Sequence, residues 1–248
     1  MGSDVLATNT DRLLDDWAEV GVRTGGAPSG RTPDLERLLV ETARHAPEDA
    51  RLLQCGATWL VTFGQFVARR RLLRLVTDEL NPEIQAILGL AIDEAMQRGA
   101  PLELRSLRDT WRPLGDPVPL LYAQREQRAL WANAEQNASD HSRHWGVYAP
   151  PIEFRPDDVR PPGWLVSRHP SYRDRIVRRG DVRASIIESL RFDAPGQRVS
   201  SEAEIARLCG ANPATAQRAL RALELEGVVC FGEAPKGNAF SVRLRPQT

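Results

Sequence analysis

The chain has 248 residues, of which 42% are hydrophobic, 27% charged and 6% aromatic, and its mean hydropathy is −0.39. That composition belongs to a soluble globular protein with one large or two smaller domains, and no stretch reaches the ~18 apolar residues of a membrane span. Net charge is zero by cancellation: residues 1–145 carry 17 Arg against 21 acids, while 146–178 and 179–248 carry +2 each.

An acidic front and a basic rear point to two parts with different partners. The N-terminus, MGSDVLATNTDRLLDDW, lacks the basic flank and apolar core of a secretory leader. Three cysteines without CxxC spacing (Cys55, Cys209, Cys230) argue against a disulfide scaffold. The expectation is a cytoplasmic protein of bacterial origin with no membrane association. Lys236 is the one lysine among 33 basic residues, a bias best explained by a GC-rich coding sequence.

Residues 1–31 are read as an N-terminal segment, with a short helix over Asn9 to Val20 and then a flexible loop, GVRTGGAPSGRTP. From Thr32 helix signals recur. Thr32-Pro33-Asp34 opens one helix, and Pro47-Glu48-Asp49 opens another over 48–63 that Gly64 stops. A third carries Phe66, Val67, Leu72, Leu73, Leu75 and Val76, and Asn81-Pro82-Glu83 caps a fourth. Two more are expected over Glu103–Trp111 and Val118–Gln136. Residues 32–145 thus read as an all-helical domain, for dimerisation, a partner or a ligand, without a fixed-period repeat. The cluster Arg69-Arg70-Arg71 with Arg74 is read as a solvated face of that domain.

Residues 146–170 form a proline-rich connector that neither helix nor central strand tolerates. Helix returns over Ser171 to Phe192. The last part, 171–248, divides cleanly. DVRASIIESLRF is amphipathic, and DAPGQ turns. SSEAEIARLCG begins with Ser200 or Ser201 as N-cap and Glu204 as box partner, and Gly210 ends it. ANPATAQRALRALELEG starts on Asn212 and Pro213 and stops at Gly227. VVCF and AFSVRLR are short β-rich runs around a tip bearing Lys236. The predicted fold is mainly α: an all-helical N-terminal domain, then a winged helix-turn-helix of three helices and a β-hairpin.

The segment IARLCGANPATAQRALRALELEGVV resembles the recognition segment of GntR-type regulators, especially the YtrA-like branch, with the pattern L-A-x-x-L-G-V-N-P-N-T-V-x-R-A-x-x-x-L-E-x-E-G-L. Ile205, Ala206, Cys209, Gly210, Asn212, Pro213, Thr215, Arg218, Ala219, Leu223, Glu224, Glu226 and Gly227 stand in register. The resemblance covers about residues 180–245. It implies a DNA-binding winged domain, here placed last rather than first. The family's early arginine in the second helix is replaced by Ala203.

The function this implies is sequence-specific transcriptional regulation on double-stranded DNA by a homodimer. The expected DNA contacts are Asn212, Ala214, Thr215, Gln217 and Arg218 at the start of the third helix. Ser201 and Lys236 are expected to reach phosphate, with Arg221 a further backbone contact. Six connector arginines (Arg168, Arg173, Arg175, Arg178, Arg179, Arg183) either extend this footprint or form an ion-paired face. The alternative is an antitoxin-like or scaffold protein that holds a protein partner through its helical domain and autoregulates its operon. His141-x-x-His144 lacks the further ligands of a metal site. No phosphate-loop, dinucleotide or nucleophile-elbow motif occurs, so neither enzyme activity nor a cofactor is expected.

Overall fold

A computed structural model describes residues 2–232 and 241–245. The helices are α1 (Gly2–Glu19), α2 (Leu35–His45), α3 (Ala50–Phe63), α4 (Arg69–Glu79), α5 (Pro82–Gln97), α6 (Arg105–Arg108), α7 (Tyr122–Arg125) and α8 (Arg128–Asn137). They continue with α9 (Asp140–His144), α10 (Pro162–Arg168), α11 (Tyr172–Arg178), α12 (Val182–Phe192), α13 (Glu202–Cys209) and α14 (Pro213–Leu225). Strands β1 (Val118–Pro119) and β2 (Val147–Tyr148) pair in parallel. Strands β3 (Arg198–Val199), β4 (Val229–Gly232) and β5 (Ser241–Leu244) form an antiparallel sheet in the order β3-β5-β4. The protein is mainly helical, with this one small antiparallel sheet among the described residues. No described helix is long and apolar enough to cross a membrane.

The chain divides into two compact units, residues 1–65 with 79–172, and residues 66–78 with 173–248. In the first unit α1 is longer than its sequence signal and is not a loose leader. Leu13, Trp17 and Val20 are buried, and the Trp17 indole donates to Thr42 Oγ1 at 2.9 Å. The Gly-rich loop expected to be flexible has its amides tied down by carboxylates of α1. Ala27 N–H donates to Asp15 Oδ1 and Gly30 N–H to Glu19 Oε2, each at 2.7 Å. Asp34, one residue beyond the proline, is the real N-cap of α2, and Asp49 and Asn81 cap α3 and α5. The helix expected over Val118–Gln136 breaks into β1, α7 and α8.

In the second unit, the helix expected over Ser171 to Phe192 is split by Arg179 (φ 43°) and Gly180 (φ 66°). Ile186, Ile187 and Leu190 of α12 pack with Ile205 and Cys209 of α13, with Ala216, Leu220 and Leu223 of α14, and with Val229 and Val242 of the sheet. Strand β3 leaves no sequence signal, because two residues carry no alternating pattern.

Segment 66–78, expected in the helical domain, belongs to this unit instead. The reason is packing and charge. A Cβ at Gly180 would lie 2.0 Å from the Val67 carbonyl oxygen, and one at Gly210 (φ 67°) would lie 2.5 Å from that of Arg70. Both glycines let backbone meet backbone while holding left-handed conformations closed to most side chains. The Arg71 side chain is fully buried and clamps Asp193 through Nε–Oδ2 (2.9 Å) and Nη2–Oδ1 (2.7 Å), and Arg74 Nη2 reaches Oδ2 at 2.7 Å. The predicted solvated cluster is therefore corrected: Arg71 and Arg74 are structural ion-pair partners, and Arg70 alone of the four is exposed.

Asp193→Ala leaves a buried guanidinium without its carboxylate, a loss worth about 3–5 kcal/mol. The urea transition of the full chain should shift by that amount, and a shift within experimental error would deny Arg71–Asp193 this role.

Candidate nucleic-acid interface

The geometry of α13 and α14 follows from local capping chemistry. Ser201 Oγ accepts the Glu204 amide at 3.1 Å, so the predicted phosphate ligand is first an N-cap. The Glu204 carboxylate closes its box on Ser200, accepting from its amide at 2.8 Å and its hydroxyl at 2.9 Å. Gly210 ends α13 in the left-handed region. Asn212 Oδ1 accepts the Thr215 amide at 2.8 Å and starts α14 with Pro213 in its first turn.

This start aims Ala216, Ala219, Leu220 and Leu223 inward and leaves Asn212, Ala214, Gln217, Arg218 and Arg221 exposed, with Thr215 half-buried. Positions 214, 217, 218 and 221 recur at helical spacing and share one face. The structure thus brings together six of the predicted residues (Asn212, Ala214, Thr215, Gln217, Arg218 and Arg221) on one helix, with Ser201 at the start of the helix before it. Lys236 lies outside the described residues. Ala203 is exposed and offers no donor.

The side chains differ in how free they are. Arg221 is held on two sides, by Glu224 at 3.3 Å and over the Phe231 ring at 4.9 Å. Gln217 Nε2 donates to Glu202 Oε1 at 3.4 Å, which brings a carboxylate beside the exposed face. Arg218 makes one bond, from Nε to the Ala214 carbonyl at 3.4 Å, and has no carboxylate partner among the described residues.

Charge accounting extends the contrast. Segments 66–78 and 173–248 hold 17 basic and 10 acidic residues, a net +7, so the rest of the chain is −7. Seven of those acids are engaged internally, among them Asp78, which pairs with Arg74 at 3.5 Å. Asp193 holds Arg71 and Arg74, Glu188 holds Arg175 and Arg191, and Glu226 holds Arg178 and Arg183. Asp174 pairs with Arg178, Asp181 with Arg183 and Glu224 with Arg221. Among the connector arginines the ion-paired reading therefore describes Arg175, Arg178 and Arg183. Arg168 pairs with Glu19 in the first unit, and Arg173 is exposed. The exposed cations without a carboxylate partner among the described residues include Arg70, Arg207, Arg218, Arg243 and Arg245.

Cys209 is a core residue, and burial pushes its thiol up to about 11. Cys230 is half-buried, its sulfur 3.3 Å from Arg243 Nε.

The first unit holds a polar cluster that the sequence spacing hides. Buried His169 places Nδ1 3.0 Å from Thr32 Oγ1 and Nε2 3.0 Å from Glu19 Oε1. Glu19 also accepts from Arg168 Nε at 2.5 Å and the Gly30 amide at 2.7 Å. Burial alone would raise the Glu19 carboxyl, but the bonds from Arg168 and Gly30 outweigh it and hold the group below its ordinary range. With three partners on one carboxylate, the cluster ties α1, its following loop and α10 together.

Compared with protein-family models, curated proteins and solved structures, the chain matches none.

Because the folded-state value of Glu19 is depressed, its stabilisation is present above the unfolded glutamate pKa of about 4.3 and fades as pH falls through the folded value. Glu19→Gln should therefore destabilise at neutral pH, and the gap to wild type should close on acidification. Chemical melts at neutral and acidic pH check it. A gap independent of pH would refute the assignment.

Proposed function

We propose that the second unit is a winged helix-turn-helix that binds double-stranded DNA, and that the protein is a sequence-specific transcriptional regulator. The support for the fold is the order α12-β3-α13-α14-β4-β5 with the strand order β3-β5-β4 and a left-handed glycine between α13 and α14. On this reading α14 lies in the major groove. Arg218 and Gln217 read base edges, Thr215 and Asn212 lie at the groove entrance, and Arg207, Arg243 and Arg245 meet phosphate. Ser201 can contact phosphate only by sharing its capping oxygen, so its contribution is small.

The observation that carries the proposal is the placement of Arg218. It stands on the exposed face of a capped helix, in a unit of net +7, with no carboxylate partner among the described residues. A stability role needs no such cation. The opposing feature is Glu202. A carboxylate beside Gln217 repels phosphate, so DNA must displace the Gln217–Glu202 bond to dock. The antitoxin-like alternative is compatible with this site, because an autoregulator also needs an operator contact.

The test is fluorescence anisotropy with DNA from upstream of the coding sequence and with scrambled DNA, at several salt concentrations. The affinity should fall with log-log slope of about −0.9 per phosphate contacted, and the upstream sequence should bind tighter. Arg218→Ala should cost about 1–3 kcal/mol on the preferred sequence. Glu202→Gln should tighten binding to both. Absence of binding at low salt, or equal titrations for wild type and Arg218→Ala, would overturn the assignment.

A further inference from the structure

We infer that a cleft of about 140 Å³ in the first unit is a binding site for a small organic carboxylate with an apolar body. The inference stands apart from the DNA-binding reading, because all its residues belong to the other unit. One wall is a face of α3 with Arg51, Gln54, Cys55 and Thr58 at helical spacing. The facing wall is the loop after α1, where Val22 bridges Val159 and the Arg23 amide donates to the Asp158 carbonyl at 2.7 Å. Leu14 and Val22 supply apolar surface.

The charge of the lining decides the ligand class. Three arginines, Arg23, Arg51 and Arg155, line the cleft with one acidic residue, Asp158. This happens in a unit whose net charge is −7. The forks are only partly occupied. Arg51 uses Nε and Nη2 on Asp49, Arg155 uses Nη2 on Glu153, and the Arg23 side chain has no bond partner among the described residues. Asp49 and Glu153 reduce the net attraction for a bare ion. They leave Nη1 of both arginines and the whole Arg23 fork to meet a planar carboxylate, a geometry guanidinium matches.

The remaining groups do not oppose an anion. Burial, the largest influence, pushes the Cys55 thiol up to about 12, so it faces the cleft uncharged at neutral pH. The Thr24 hydroxyl is committed to the Leu14 carbonyl at 2.8 Å. A volume of this size suits a ligand near that of benzene. The apolar surface favours such a body over phosphate.

The test uses sodium benzoate as probe, with the full chain, by isothermal titration calorimetry at constant ionic strength. Benzyl alcohol, benzamidine and inorganic phosphate serve as comparisons. Saturable millimolar binding by benzoate, weakened at least about tenfold in Arg23→Ala and Arg155→Ala, supports the site. Both side chains lie at the surface, so the fold should survive, and circular dichroism checks it. Arg112→Ala, an exposed arginine outside the cleft, should change nothing. Absence of benzoate binding, equal binding of benzyl alcohol or phosphate, or undiminished binding in both cleft variants would overturn the inference.

Discussion

One carboxylate organises the second unit. Asp193 ends α12 and accepts from both Arg71 and Arg74 of α4, with Arg71 fully buried and also stacked over the Phe192 ring at 5.6 Å. Removing one charge of such a pair leaves the other stranded in low dielectric, so the three side chains behave as a single element. The consequence is topological. A stretch more than 90 residues upstream becomes part of the same folding unit, seated by two glycines that admit the Val67 and Arg70 carbonyls. The unit is discontinuous in sequence because the ion pair makes it so.

The clamp also shapes the electrostatics. By adding residues 66–78 the unit gains four arginines and one aspartate. Two of those arginines are consumed by Asp193, and Arg69 Nη1 donates to the Arg179 carbonyl at 2.9 Å. Arg70 is the exposed one. Burying acids against arginines of α4, α11 and α12 neutralises the interior while the excess cations remain at the surface. Counted by its own side chains, with Glu224 and the capping Glu226 against Arg218 and Arg221, α14 is electrically neutral. Here Glu226 is held by Arg178 and Arg183, and Glu224 by Arg221, so the exposed end near Arg218 keeps its charge.

Local signals were legible in the sequence and long-range ones were not. Ser201, Gly210, Asn212 and Pro213 act within one helical turn, so their side chains announce the ends of α13 and α14. Asn81 is readable for the same reason. The burial of Arg71 leaves no local signal, because RRRLLR says only that arginines flank a leucine pair; the carboxylate that holds it is 122 residues away. The His169–Glu19 pair spans 150 residues and leaves no motif at either end. Strands β1, β2 and β3 have two residues each, too few for an alternating pattern to show. The break at Arg179-Gly180 has a long-range cause as well. Glycine inside a helical pattern is weak punctuation alone, and here the approach of the Val67 carbonyl requires it.

The split between local and distant determinants bears on what the second unit can change without unfolding. Exposed positions 214, 217, 218 and 221 take no part in the core formed by α12, α13, α14 and the sheet, nor in the Asp193 clamp. Substitutions there come at little cost in stability, because surface changes away from caps and cores usually cost under about 0.5 kcal/mol. Asn212 and Ser201 are different: each oxygen holds a helix amide, so any contact they make is bound to the integrity of the helix start. Ala203 fits the same division. The position is exposed and takes no part in the core, so the fold does not fix which side chain stands there.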